Sequence, residues 1–119
     1  MSLKIIIADD DADFRGTVAD TVKDAAPDSV IDQVPDGESL VKAVRNGSYD
    51  LVFTDFNMGR EHLPGIPAII EIRKFNADVP IYMISASQVE KQALSAGATG
   101  YFDKDPDLRD KIPKVVKSY

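Results

Sequence analysis

Three separated acidic groups and one late lysine carry the chemistry open to this chain. Asp9 and Asp10 close the apolar run Lys4-Ile5-Ile6-Ile7-Ala8, and Asp55 closes Asp50-Leu51-Val52-Phe53-Thr54. Ser85 ends the run from Pro80, and Lys104 follows Gly100-Tyr101-Phe102-Asp103. Carboxylates do not gather at strand ends for stability, because their charges repel. They suit the holding of a cation or a reaction at one of them. With no cysteine and one histidine, His62, the donors are oxygens, which select Mg²⁺ or Mn²⁺ over zinc.

Those residues need elements to position them, and the chain supplies apolar runs alternating with amphipathic segments. Lys4 to Ala8 has the all-apolar character of a strand buried on both faces. Asp13 to Ala25 spaces Phe14, Val18, Thr21, Val22 and Ala25 as one helix face, and Val30 to Val34 reads as a weaker strand. Asp36-Gly37-Glu38-Ser39 opens a helix carrying Leu40, Val41 and Val44, which Asn46-Gly47 ends. Leu51 to Thr54 is the third strand. Ile66 to Phe75 is a helix with Ile69, Ile70 and Ile72 inward, and Pro67 suits its first turn. Pro80 to Ser85, a short helix over Val89 to Ala96, and Thr99 to Asp103 follow. The last helix, Asp107 to Ser118, turns Leu108, Ile112, Val115 and Val116 to one side. Five strands alternating with five helices predict an α/β fold with a parallel sheet covered on both faces. Ligands in such sheets bind beyond the carboxyl ends of the strands, where Asp9, Asp10, Asp55, Ser85 and Lys104 all fall.

At 119 residues and 44% apolar, the chain has the size and composition of one globular domain over 1–119. Met1-Ser2-Leu3 could derive from an expression vector. The net charge of −6 argues against non-specific binding of nucleic acid or an anionic membrane. No apolar run approaches a membrane span and no secretory signal is visible, so a cytoplasmic location is the default expectation.

The chain resembles the receiver domain of two-component response regulators. The stretches that carry the resemblance are Ile7-Ala8-Asp9-Asp10-Asp11, Asp36-Gly37-Glu38, Tyr49 to Asp55, Ile84-Ser85-Ala86 and Ala96 to Lys104. Each is modest alone, but their order and register over the whole length are specific. The resemblance implies a flavodoxin-like, doubly wound (βα)5 sandwich with strand order 2-1-3-4-5. In that order the first and third strands are neighbours, bringing Asp9 and Asp10 beside Asp55. Two such charges about 4 Å apart repel by roughly 4 kcal/mol at an effective dielectric near 20, which favours a divalent cation between them. The resemblance further implies that Asp10 and Asp55 ligate the metal directly, Asp9 through water and Asn57 by its backbone carbonyl. Asp55 would be the phosphoacceptor, taking a phosphoryl group from a phosphohistidine on a sensor histidine kinase or histidine phosphotransfer protein. Lys104 and Ser85 would pair with oxygens of that group. Ser85 and Tyr101 would form a switch biasing a surface of the fourth helix, fifth strand and fifth helix toward an output partner. Such a domain catalyses its own phosphorylation and dephosphorylation, and is not expected to be an independent turnover enzyme. Asn57 and Ser87, both small and polar, stand where the family tunes dephosphorylation.

Three departures from the family pattern stand out. Met58-Gly59 replaces the usual Met-Pro, and Gly59 to Leu63 lengthens that loop by about two residues beside the pocket, so that His62 or Arg60 could reach the phosphoryl group or a partner, unless the loop is simply exposed and mobile. The stretch from Ser85 to Tyr101 is about three residues short, so the fourth helix or the loop before it is truncated. Asp105 separates Lys104 from Pro106, and Pro113 is expected to kink or shorten the last helix. The altered loops favour a rival reading, a receiver-like interaction module that is not phosphorylated. A haloacid-dehalogenase-like phosphatase is suggested by the Asp-x-Asp in Asp9-Asp10-Asp11, but the residue two beyond is Asp13, not the Thr or Val that family prefers. A flavodoxin-like flavin carrier would place a phosphate where three aspartates repel it.

Overall fold

The strand and helix signals resolve into a three-layer sandwich. The computed structural model describes residues 2–119, so Met1 lies outside the described residues. In chain order the elements are β1 (Lys4–Ala8), α1 (Ala12–Ala25), β2 (Val30–Val34), α2 (Gly37–Asn46) and β3 (Leu51–Asp55). There follow α3 (Gly65–Arg73), β4 (Ile81–Ser85), α4 (Glu90–Ala96), β5 (Gly100–Asp103) and α5 (Leu108–Lys117). The five strands form one parallel sheet in the order β2-β1-β3-β4-β5. This is the flavodoxin-like (βα)5 arrangement. From β1 the chain steps outward to β2, then reverses across the sheet through β3, β4 and β5. Right-handed crossovers then put the helix made before the reversal on one face and the next three on the other.

The side chains follow that division. Ile5, Ile7, Leu51, Phe53 and Ile84 pack against Val18, Ala19 and Val22 of α1 and Leu108, Ile112 and Val116 of α5. The alternate residues Ile6, Ala8, Val52, Ile81 and Met83 meet α2, α3 and α4 through Leu40, Val41, Val44, Ala68, Ile69, Ile72 and Ala93. Ile5, Ile6 and Val52 are wholly inaccessible. Each such aliphatic side chain contributes roughly 1.5–3 kcal/mol on burial, and a strand buried on both faces collects that at every position. β2, at the edge, is only partly covered.

One expectation is corrected. Ile70 is not inward but 45% exposed. Ile69 and Ile72 lie about 60° apart around a helix and share its buried face, whereas Ile70 is rotated about 100° off Ile69. Pro113 does not end the last helix, which runs four residues past it to Lys117. Ile112 and Val116, buried on either side of Pro113, hold the helix to the sheet across the missing hydrogen bond. In the shortened segment after Ser85, α4 has seven residues.

The start of α3 is fixed by close approach. The Gly65 N–H donates to the Phe56 carbonyl at 2.8 Å, pinching together the base of the loop that leaves β3. A Cβ on Gly65 would overlap the Asp55 carbonyl oxygen and stand 2.8 Å from Met83 Cε. Gly65→Ala is therefore expected to destabilise the fold by about 1–3 kcal/mol in urea unfolding. Gly16→Ala, inside α1 with open space around it, should instead stabilise by about 0.5–1 kcal/mol.

Candidate functional site

Strand register assembles the site. Ala8 pairs with Thr54, so Asp9 and Asp55, one residue further on, leave the sheet side by side at the point where the strand order reverses. Ser85 pairs with Asp103, and the Lys104 N–H donates to the Ser85 carbonyl at 3.0 Å, carrying Lys104 to the same edge. Carboxylate oxygens of Asp9, Asp10 and Asp55 all lie within 4.8 Å of one another. Lys104 Nζ is 3.3 Å from Asp9 Oδ2 and 3.3 Å from Asp55 Oδ1. The hollow above them, about 420 Å³, is lined by Asp10, Asp55, Asn57, Ser85, Ser87 and Lys104 among others. All the residues singled out for the pocket in the sequence thus converge, except that Asp9 lies beneath the lining and Tyr101 stands apart.

The three acids differ in their engagement. Asp9 is 3% exposed and both its oxygens are taken, Oδ1 by the Asp11 N–H at 2.9 Å and Oδ2 by Lys104. Asp10 is exposed. Asp55 is 7% exposed, and its Oδ1 accepts from the Phe56 N–H at 2.8 Å. No hydrogen bond among the described residues takes Asp55 Oδ2. An all-oxygen set of three clustered carboxylates fits a hard divalent cation, with Asp10 and Asp55 having oxygens to give and Asp9 already engaged. Ser85 is buried, and its Oγ accepts from the Ser87 N–H at 2.9 Å. Tyr101 is half-buried, and its hydroxyl accepts from the Val89 N–H at 3.2 Å, where α4 begins.

Two residues that the sequence does not mark as part of the site, Arg15 and the helix-face residue Phe14, support this arrangement. Arg15 on α1 donates to the Asp9 carbonyl at 2.8 Å and to Gln33 Oε1 at 3.1 Å, bracing the end of β1 against β2. Phe14 lies under Lys104, whose Nζ stands 4.3 Å from the ring centroid. A basic residue and an aromatic in the first turn after an acidic strand end are the only signals that could have drawn attention to them.

The lengthened loop lies against the helix beside the pocket. Met58 is fully buried and anchors it. Gly59 then turns with φ +95°, a conformation closed to proline, whose ring fixes φ near −65°. That accounts for the loss of the Met-Pro pattern. His62 pairs with Glu38 at 3.1 Å and Asp36 at 3.6 Å, and the Leu63 N–H donates to Glu38 Oε1 at 3.0 Å. His62 therefore clasps the loop to the start of α2.

The charges have measurable consequences. Burial, and then the Asp9 charge, push the Asp55 carboxyl up to about 6, with Lys104 and the Phe56 N–H pulling the other way. Burial of Lys104 opposes its charge, but Asp55 and Asp9 outweigh it and hold the ammonium above its usual range. A carboxyl raised on folding favours the fold while protonated, and that contribution is lost as pH rises through about 6. Metal-free Asp55→Asn is thus expected to exceed the parent in stability at pH 8 by about 2–3 kcal/mol and to lose that advantage at pH 4. Urea unfolding in chelator checks this, and added Mg²⁺ should reverse the order at pH 8. The hydrogen bond to Glu38 raises the His62 pKa, slight desolvation opposes it, and the charges of Glu38, Asp36 and Glu61 add to the rise. The clasp is fully formed below the ordinary histidine range and weakens as pH rises through the elevated value. The His62 ring protons should titrate above the usual histidine range, and Glu38→Gln should lower that midpoint while Asp36 and Glu61 keep part of the rise.

The comparisons with known proteins agree with this geometry. The family model described as response regulator receiver domain matches residues 5–116. The chain is 31% identical to the glycerol metabolism activator of Pseudomonas putida, covering 95% of this chain and 53% of that protein. It is 29% identical to the chemotaxis protein CheY-3 of Vibrio cholerae, covering 98% of this chain and 93% of that one. Among solved structures, NtrX from Brucella abortus superposes with a TM-score of 0.83 and 28% identity, over 99% of this chain and 27% of that one. The chain spans about half of the first relative and nearly all of the second. Among the described residues no helix is long and apolar enough to cross a membrane. A match over almost the whole length, with the acidic cluster and lysine at the reversal of the sheet, shows that the chain belongs to the response regulator receiver domain family.

Proposed function

We propose that this chain is a single, phosphoaccepting receiver domain in which Asp55 takes a phosphoryl group from a phosphohistidine on a histidine kinase or phosphotransfer protein. The observation that carries the reading is the ion-paired site itself, with Lys104 Nζ 3.3 Å from Asp55 Oδ1 and the acids of β1 beside it. Asp10, Asp55 and the Asn57 carbonyl would hold Mg²⁺ or Mn²⁺ directly, and Asp9, whose oxygens are already engaged, through water. When bound, the cation offsets negative charge on the transferring group.

Asp55 Oδ2 forms the new bond to phosphorus as the bond from phosphorus to the donor's imidazole nitrogen breaks, and the imidazole leaves. Lys104, already charged and aimed at Asp55, pairs with one phosphoryl oxygen as negative charge builds there. Ser85 reaches another oxygen by exchanging its bond from the Ser87 N–H for a new one. The Ser85 movement opens space toward Tyr101, whose bond from Val89 ties it to the start of α4. That linkage supports a switch over α4, β5 and α5, and the output partner would read it there.

Incubation with Mg²⁺ and a small acyl phosphate, followed by intact mass measurement, tests the reading. A single phosphate adduct is expected on the parent chain and none on Asp55→Asn. Lys104→Ala should slow adduct formation by roughly tenfold to a hundredfold. No adduct on the parent chain would favour the phosphorylation-independent interaction module, and an adduct persisting in Asp55→Asn would move the reaction to another residue.

A further inference from the structure

Lys104 is held from two sides, and only one of them survives occupation of the pocket. On one side are Asp9 Oδ2 and Asp55 Oδ1, each 3.3 Å from the ammonium. On the other is the ring of Phe14, with its centroid 4.3 Å from Nζ. The Lys104 side chain keeps 24% of its surface exposed, so its charged end has solvent to swing into. A divalent cation drawn to the acids would compete for those oxygens and repel the ammonium directly. The negative face of an aromatic ring is not consumed by that cation.

We propose that Phe14 is a positioning residue for Lys104, its ring face holding the ammonium over Asp55 when the carboxylates are engaged by a metal. The inference rests on the phosphoacceptor reading above. Phe14 is itself well fixed. It stands in the first turn of α1, its N–H donates to the N-cap side chain of Asp11 at 3.2 Å, and it packs against the core shared by α1 and α5. It also lines a crevice of about 150 Å³ with Asp105, Pro106 and Leu108. The segment carrying Lys104 out of β5 thus runs directly over it. Among the described residues, Phe14 is the one attractive contact of the ammonium that a cation on the acids leaves untouched.

Two substitutions separate the ring face from simple bulk. Phe14→Leu keeps apolar volume and removes the π face, while Phe14→Tyr keeps both. In Mg²⁺-loaded protein the ε-methylene protons of Lys104 should be shifted upfield by the ring current. The shift should persist in Phe14→Tyr and vanish in Phe14→Leu. With saturating Mg²⁺ and a small acyl phosphate, Phe14→Leu should lower the limiting rate of phosphorylation by roughly three- to tenfold. The donor concentration at half-maximal rate and the affinity for Mg²⁺ should stay within about twofold, and Phe14→Tyr should restore the rate. An unchanged rate in Phe14→Leu, an equal loss in Phe14→Tyr, or no ring-current shift in the Mg²⁺-loaded parent would each overturn the positioning role. A parent protein that shows the shift but forms no adduct on Asp55 would instead overturn the phosphoacceptor reading, and the positioning role with it.

Discussion

The constraint on which the rest of this structure depends is the crowding of three carboxylates around one ammonium at the carboxyl edge of a parallel sheet. Asp9 and Asp55 are almost wholly buried, and Asp10 completes the cluster within 4.8 Å. Lys104 supplies one positive charge for three negative ones. Backbone N–H groups of Asp11 and Phe56 supply partial compensation. The remainder is carried as a raised affinity of Asp55 for a proton. The local fold is therefore more costly with Asp55 charged than with it protonated. A core buried on both faces of β1 and β3 allows that cost, because the apolar gain along those strands does not depend on what their ends carry.

The loop beside the pocket solves a related problem. Lengthening a connection next to a charged site would ordinarily leave its backbone groups to solvent and its position poorly defined. Here three different contacts hold it. Met58 is buried beneath it, the Gly65 N–H closes its base on Phe56, and His62 with Leu63 joins its far side to Glu38. The substitution of glycine for the family's proline follows from the same design, since the chain must turn through positive φ between the buried methionine and the histidine clasp. The start of α2 serves both as a capped helix end, with Asp36 accepting from the Ser39 N–H, and as the docking point of the loop.

Much of this was legible in the sequence because the governing signals are local or periodic. The apolar runs marked the strands, and their shared acidic or polar ends marked the edge where a ligand site forms. What composition alone did not supply was the strand order. It came from resemblance, and the sheet bears it out through the pairing of β1 with both β2 and β3. The inward reading of Ile70 fails because its angle on the helix carries it off the buried face. Pro113 leaves α5 running to Lys117, because packing of Ile112 and Val116 decides that helix more than one missing hydrogen bond does. Phe14 and the His62 clasp depend on pairings across 90 and 24 residues, and no local pattern encodes such distances.

The short fourth helix gives the fold an uneven distribution of stability. Seven residues are too few for a helix to persist by itself, so α4 depends on what it touches. Ala93 is its only fully buried residue, and its first residue follows Val89, which offers no side-chain cap. The Tyr101 hydroxyl meets the Val89 N–H and replaces part of that missing cap from a neighbouring strand. At the other end, the Arg73 Nε donates to the Gly97 carbonyl at 2.9 Å and ties the helix to α3. The start of α4 is thus held by a hydroxyl from β5, while its end is held by a guanidinium from α3. A change at Ser85, two residues before Ser87 and four before Val89, would be felt first at the start of α4. Local packing thus leaves α4 dependent on its neighbours at both ends.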